Sequence, residues 1–256
     1  MASVARISIA PIKSLGLVHP DSVDVAIGGV REDRRFWLVD EAGRLFNGKR
    51  NGPMVGIRPE WDEETRELAL TFPDGTRVEG VVELGPPTEA VLYGRPHMSR
   101  PVRGPWQDAV SSSVGQPLTL LWSDAQAIDR GTEGGDVSLV SQGSLRQLRE
   151  EADAPEPVDG RRFRMTFEIE GVDAHTEDRW IGSSVRVGSA TVRFNGDVGR
   201  CVVTSQHPDT GVVDLDTLGT LAKYRREGRN EPLPFGVYGS VTTPGRVRVG
   251  DPVYPA

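Results

Sequence analysis

This sequence has very little sulfur and very little imidazole: one cysteine, four histidines and four methionines among 256 residues. A single thiol excludes an intrachain disulfide and a four-cysteine iron–sulfur cluster. His97, His175 and His207 show no metal-ligand spacing with Cys201 or with each other, which argues against a structural zinc site. No apolar run reaches the eighteen or so residues of a membrane-spanning helix, and no signal-peptide core is present. The formal net charge of −7 argues against a nucleic-acid-binding face. No G-x-S-x-G elbow, phosphate-binding Walker loop or dinucleotide fingerprint occurs. The expectation is a cytoplasmic protein acting on a small molecule, with neither nucleic acid nor membrane as partner.

Turns are abundant, with thirty glycines and nineteen prolines. Strand patterns dominate the segments between them. Arg6–Ile9 and Phe36–Asp40 read as strands. Two hairpins are expected, one around Pro73-Asp74-Gly75 and one around Gly188-Ser189-Ala190. Arg246–Val249 alternates cleanly. Helical signals are few. Trp106, Val110 and Val114 share a face ahead of Gly115. Ser144–Gln147 carries a capping-box pattern. Asp214 or Asp216 caps a segment with Leu218, Leu221 and Tyr224, stopped by Gly228. The sequence predicts a β-rich α+β protein with a boundary in the polar stretch from Ser123 to Gly135, giving domains 1–122 and 123–256. Ala152–Gly160 reads as an exposed loop.

A few positions could carry chemistry. Cys201 follows a glycine-rich approach and has Arg200 beside it, and a nearby guanidinium favours the thiolate; the plain alternative is a small buried apolar residue. Lys13 and Ser14 sit on a turn after the first strand, where a lysine beside a hydroxyl can hold an anion. Glu32-Asp33-Arg34-Arg35 offers either surface ion pairs or a guanidinium fork for a phosphate. Arg161, Arg162 and Arg164 around Phe163 read as an edge strand or an anion site. Arg95, His97, Arg100 and Arg103, interleaved with Gly and Pro, read as a mobile basic loop.

In order along the chain, these segments resemble one family. Ala10–Ser14 is similar to a Y-P-I-K-S opening, and Asp33–Asp40 to G-D-R-R-W-M-L-V-D. Leu139–Leu145 resembles the family's strand-to-helix loop, and Arg162-Phe163-Arg164 its R-F-R-P-N motif. Arg200–Thr204 with Pro208–Gly211 resembles R-C-x-x-T-x-x-D-P-D-T-G, and Leu221–Arg225 and Pro244–Asp251 complete the set. The chain resembles MOSC proteins preceded by the MOSC N-terminal β-barrel domain, in the group of the amidoxime-reducing components.

The resemblance implies a MOSC β-barrel with an associated β-barrel-like N-terminal domain and a few short helices. It also implies the molybdenum cofactor (molybdopterin), with Cys201 as catalytic residue and metal ligand. The implied cofactor-binding residues are Lys13, Ser14, Arg34, Ser141, Arg164, Thr166 and Arg200. Pyridoxal phosphate binding is a further family-level association. Two positions depart from the pattern: Met165-Thr166 replaces Pro-Asn, and Gly199 replaces the serine of S-R-C. The implied activity is an oxidoreductase acting on N-hydroxylated or N-oxide-type compounds. Its electrons would come from a separate ferredoxin, flavodoxin or reductase. The alternatives are a sulfurtransferase carrying a Cys201 persulfide and a non-catalytic cofactor-binding protein.

Overall fold

The computed structural model describes residues 1–124 and 135–256. Seven strands close a barrel in the order Ala2–Ile7, Phe167–Glu170, Val137–Ser141, Pro234–Thr243, Ala190–Gly199, Ser184–Val187 and Pro252–Pro255. Closure comes from Ala2 opposite Val253 and Ser3 opposite Pro252. Only the Val137–Ser141 and Phe167–Glu170 pair is parallel. A parallel pair needs a crossover, and helix α2 (Gln142–Glu151) lies within it. Alternate side chains of each strand point inward, and Ile7, Leu139, Phe167, Val185, Val192, Phe194 and Val237 fill the interior.

Residues from the first half build two further sheets. One holds six strands, among them Phe36–Val39, Thr88–Leu92, Arg95–Arg103 and Thr119–Trp122; the other runs Arg58–Asp62, Glu67–Thr71, Arg77–Val81. They share a core of Phe36, Leu38, Leu68, Leu70 and Leu120, into which helix α1 (Trp106–Val114) inserts Trp106 and Val110. The first strand, however, belongs to the barrel, so the barrel draws on both ends of the chain. The boundary expected at 122–123 adjoins residues 125–134, which lie outside the described residues.

Both hairpins form where the turns place them. Thr71 faces Arg77 across one, and Val187 faces Ala190 across the other. α1 ends at Gly115, whose φ of 81° is the left-handed cap glycine favours. Four expectations are corrected. α2 is capped by Ser141 rather than by Ser144: the Ser144 N–H donates to Ser141 Oγ at 3.1 Å. Helix α3 (Thr217–Tyr224), capped by Asp216, stops short of Gly228. Residues 161–164 are a 3-10 turn ending in left-handed Arg164, not an edge strand. Arg95–Arg103 is a nine-residue strand, not a loop. Its two prolines hide the alternation, and its two ends pair with different neighbours.

Behind α2 sits a buried polar knot. Glu177 accepts from Ser144 Oγ at 2.6 Å and from the Ser141 N–H at 3.0 Å. Burial pushes its carboxyl above the usual range. The His175 backbone N–H donates to Ser144 Oγ at 2.9 Å. Burial, with help from the Arg225 guanidinium, pushes its imidazole down to about 4. A histidine held neutral in the fold contributes stability above its unfolded value near 6.5. That contribution is lost as pH falls from there through about 4. The thermal midpoint is therefore expected to drop on acidification from pH 6.5 to 4, and to drop several degrees less in His175→Asn, measured by circular dichroism.

Candidate functional site

Cys201 lies where the barrel strand Ala190–Gly199 ends. The strand's last residue, Gly199, still pairs with Pro234. The chain then turns, and Cys201 becomes the N-cap of the 3-10 turn Val202–Ser205, its carbonyl accepting from the Thr204 N–H at 3.0 Å and from Thr204 Oγ1 at 2.9 Å. The cysteine is half-buried. Beneath it, Phe163 and Phe235 stack at 4.4 Å in a cluster with Val198, Met165 and Leu221. Arg200 lies over Phe163. Its guanidinium donates to the carbonyls of Phe235 and Phe163 and to the Met165 sulfur, so Arg200 ties the cysteine's turn to the R-F-R turn.

The cavity in front of Cys201 has a volume of about 400 Å³. Its lining includes Lys13, Ser14, Arg34, Lys49, Tyr93, Ser138, Arg162, Arg164, Arg200, Cys201 and Glu231. Among the described residues of the lining, six cations stand with one carboxylate, in a chain of net charge −7. A concave site lined by one sign of charge focuses potential on an anion.

The cationic wall is joined by hydrogen bonds across long sequence distances. Arg34 is 4% exposed and pairs with Asp33, which is 3% exposed. The Asp33 carboxylate also accepts from the Ala10 N–H at 2.7 Å. Arg34 donates to the Arg164 carbonyl at 2.8 Å, and Arg164 to the Leu15 carbonyl at 2.7 Å. The Lys13 N–H donates to Phe36 O at 2.8 Å, and its ammonium lies 5.3 Å from the Tyr93 ring centroid. Lysine and arginine are seldom buried without partners, and here both are buried at a cavity wall. Ser14, Arg34, Tyr93 and Arg164 all have φ between 51° and 75°. Left-handed backbone at non-glycine residues is strained and gathers at functional sites, and four such residues meet at this cavity.

Cys201, Lys13, Ser14, Arg34, Arg164 and Arg200 are thus brought together. Ser141 and Thr166 are not among the lining residues. Ser141 is fully buried and spends its hydroxyl on capping α2. Thr166 is 2% exposed; its hydroxyl accepts from the Ser138 N–H at 3.2 Å, and its own N–H donates to Ser138 Oγ at 3.1 Å. Thr166 therefore supports Ser138, which does line the cavity. Sequence reading missed Asn47, Gly48, Lys49, Tyr93, Ser138, Glu231 and Pro232. All but Ser138, on the barrel strand Val137–Ser141, come from loops without chemical motifs; Gly199 and Gly228 were the only nearby trace. No group of three or more His, Cys, Asp or Glu that could hold a metal occurs among the described residues.

The departure at Gly199 has a steric cause. A Cβ there would sit 2.5 Å from a Glu231 carboxylate oxygen and 2.7 Å from its Cβ. The serine of the family pattern would drive the Glu231 loop away.

Comparison with known proteins identifies the family. Residues 129–254 match the MOSC domain, and residues 1–95 match the MOSC N-terminal beta barrel domain. Mitochondrial amidoxime-reducing component 1 of Xenopus laevis is 27% identical over 287 residues, spanning 98% of this chain and 81% of the relative. Mitochondrial amidoxime reducing component 2 of Bos taurus is 26% identical over 294 residues, spanning 99% and 83%. Among solved structures, the YUAD protein from Bacillus subtilis aligns with a TM-score of 0.47 and 13% identity over 99% of this chain and 94% of that one. With both domain matches in series and relatives aligned along nearly the whole chain, this protein belongs to the MOSC family, as a MOSC domain preceded by a MOSC N-terminal beta barrel domain.

Proposed function

We propose that the protein is a molybdenum-cofactor oxidoreductase that reduces N-hydroxylated or N-oxide-type compounds. The observation that supports this best is the convergence of one half-buried thiol with a strained, buried cationic wall around a single cavity. That donor set suits the cofactor's two ends: a soft thiolate for the metal, and guanidinium and ammonium groups for the pterin's phosphate. Cys201 would hold the metal, and Lys13, Ser14, Arg34 and Arg164 the phosphate. The bound cofactor supplies two-electron oxygen-atom chemistry. The chain's residues orient the cofactor, line the substrate space, and keep phosphate and thiol apart on a rigid frame. Arg200 acts by positioning, because its guanidinium is committed to two carbonyls and a sulfur.

For an amidoxime, each turnover takes two electrons and two protons. The N–O bond breaks, one proton ends on nitrogen, the other leaves with the hydroxyl as water, and an amidine remains. These 256 residues hold one cysteine, too few for a four-cysteine cluster, and the electron source in this reading is a carrier protein of ferredoxin, flavodoxin or reductase type. The relatives' names carry the amidoxime reading.

Protein expressed in a host that makes the cofactor is expected to hold molybdenum near one equivalent per chain and to reduce benzamidoxime with an artificial reductant. Molybdenum-free protein with a cyanide-labile sulfur on Cys201 would instead establish the persulfide carrier. Molybdenum without turnover of any N-hydroxylated compound would leave a cofactor-binding protein.

A further inference from the structure

Glu231 is the one carboxylate among the described residues lining the cavity, and the fold goes to some length to place it there. The Asp197 carboxylate, 3% exposed, collects the N–H groups of Arg229, Asn230 at 3.1 Å and Glu231 at 3.0 Å. Three successive amides on one buried carboxylate fix the course of the loop. Gly228 lets that wrap close, since a Cβ there would lie 2.5 Å from an Asp197 carboxylate oxygen. Glu231 then reaches back to the cysteine strand and accepts the Gly199 N–H at 3.1 Å. Gly199 stands two positions before Cys201 in the chain. Asp209 and Asp214, which follow the cysteine, pair with Arg161 and Arg162; neither acid lines the cavity, although Arg162 does.

Besides accepting the Gly199 N–H, a carboxylate among these cations weakens their attraction for an anionic cofactor, because like charge opposes the ligand. A carboxylate on the thiol side is useful for a cation. We propose that Glu231 is the specificity residue for substrates with an amidine head, recognising the amidinium that forms as the N–O bond is reduced. This rests on the oxidoreductase reading above and deepens it. Amidines are strong bases and carry positive charge at neutral pH, whereas amidoximes are nearly neutral there. Positive charge therefore grows along the reaction, and a fixed carboxylate binds the later species better than the earlier one. Reduction of compounds whose products stay neutral, such as hydroxamic acids giving amides, draws nothing from it.

The experiment uses the full chain and two near-isosteric probes, benzamidine and benzamide, in calorimetric titrations. Wild type is expected to bind benzamidine at least about tenfold more tightly than benzamide, the discrimination of one charge-assisted contact. Glu231→Gln should remove that preference and leave benzamide binding within about twofold, while Glu231→Asp keeps part of it. In holoenzyme, Glu231→Gln should lower kcat/KM for benzamidoxime by about tenfold and spare benzhydroxamic acid. Equal binding of both probes by wild type overturns the proposal, as does an equal loss of both substrates in the variant, which would make Glu231 a loop support only. Failure of wild type to load molybdenum or to reduce any N-hydroxylated compound overturns the oxidoreductase reading instead; the benzamidine preference is measured independently of either.

Discussion

Cys201→Ala is expected to abolish reductase activity and to leave purified protein without molybdenum, while the fold stays intact. The side chain is half-buried, caps nothing and takes no part in the barrel core. Its carbonyl, not its sulfur, holds the turn through Thr204. Removing one sulfur there should cost no more than about 1 kcal/mol, in keeping with substitutions away from core, caps and ion pairs. The activity loss should exceed the roughly 10–100-fold that a lost supporting contact to a metal ligand costs, because the ligand itself goes. Metal analysis, pterin fluorescence after denaturation, benzamidoxime turnover and a melting curve on one preparation check every part. Cys201→Ser keeps an oxygen at the position and should fail alike, since a hydroxyl is neither soft nor readily deprotonated. Wild-type turnover in either variant would remove the thiol from the mechanism.

The residues legible in the sequence were those whose chemistry is carried by residue type within a local motif. Lys13 and Ser14 after the first strand, Arg34 beside Asp33, and Arg164 beside Phe163 all reach the cavity. A motif does not reveal depth, however. Ser141 and Thr166 occupy motif positions and yet stand one layer back, because α2 and Ser138 claim their hydroxyls first. The hairpins were readable since their register is set by adjacent turns. The barrel was legible only through the family resemblance: its closing pairs, Ala2 with Val253 and Ser3 with Pro252, span more of the chain than any periodicity can report. The strain was equally hidden. Left-handed backbone is announced by glycine, and here it falls on Ser14, Arg34, Tyr93 and Arg164. Glu231 escaped notice because the feature that places it is spread over Asp197, Gly199 and Gly228, three residues read as an ordinary glycine-rich approach or a helix stop.

Arg34→Ala is expected to damage stability and cofactor loading together, and a second substitution should separate them. Arg34 and Asp33 form an ion pair that is almost fully buried. Without the guanidinium, the Asp33 carboxylate keeps the Ala10 N–H but loses the Arg34 charge paired with it. The Arg164 carbonyl loses the Arg34 hydrogen bond too. Breaking one side of a buried pair costs about 3–5 kcal/mol, mainly from the stranded charge. For a chain of this size that corresponds to a fall in melting temperature on the order of 10 °C. Adding Asp33→Asn removes the stranded charge, and the new side-chain amide oxygen can still accept from the Ala10 N–H. The double variant Asp33→Asn/Arg34→Met should therefore recover most of the lost melting temperature, because replacing a buried pair with neutral groups of similar volume is often close to neutral. It should not recover molybdenum, because the cationic wall has lost the guanidinium proposed to hold the phosphate. A double variant restored in both respects would make the pair purely structural. A single variant that melts like wild type and loads fully would show that neither the buried charge nor the anion site depends on Arg34.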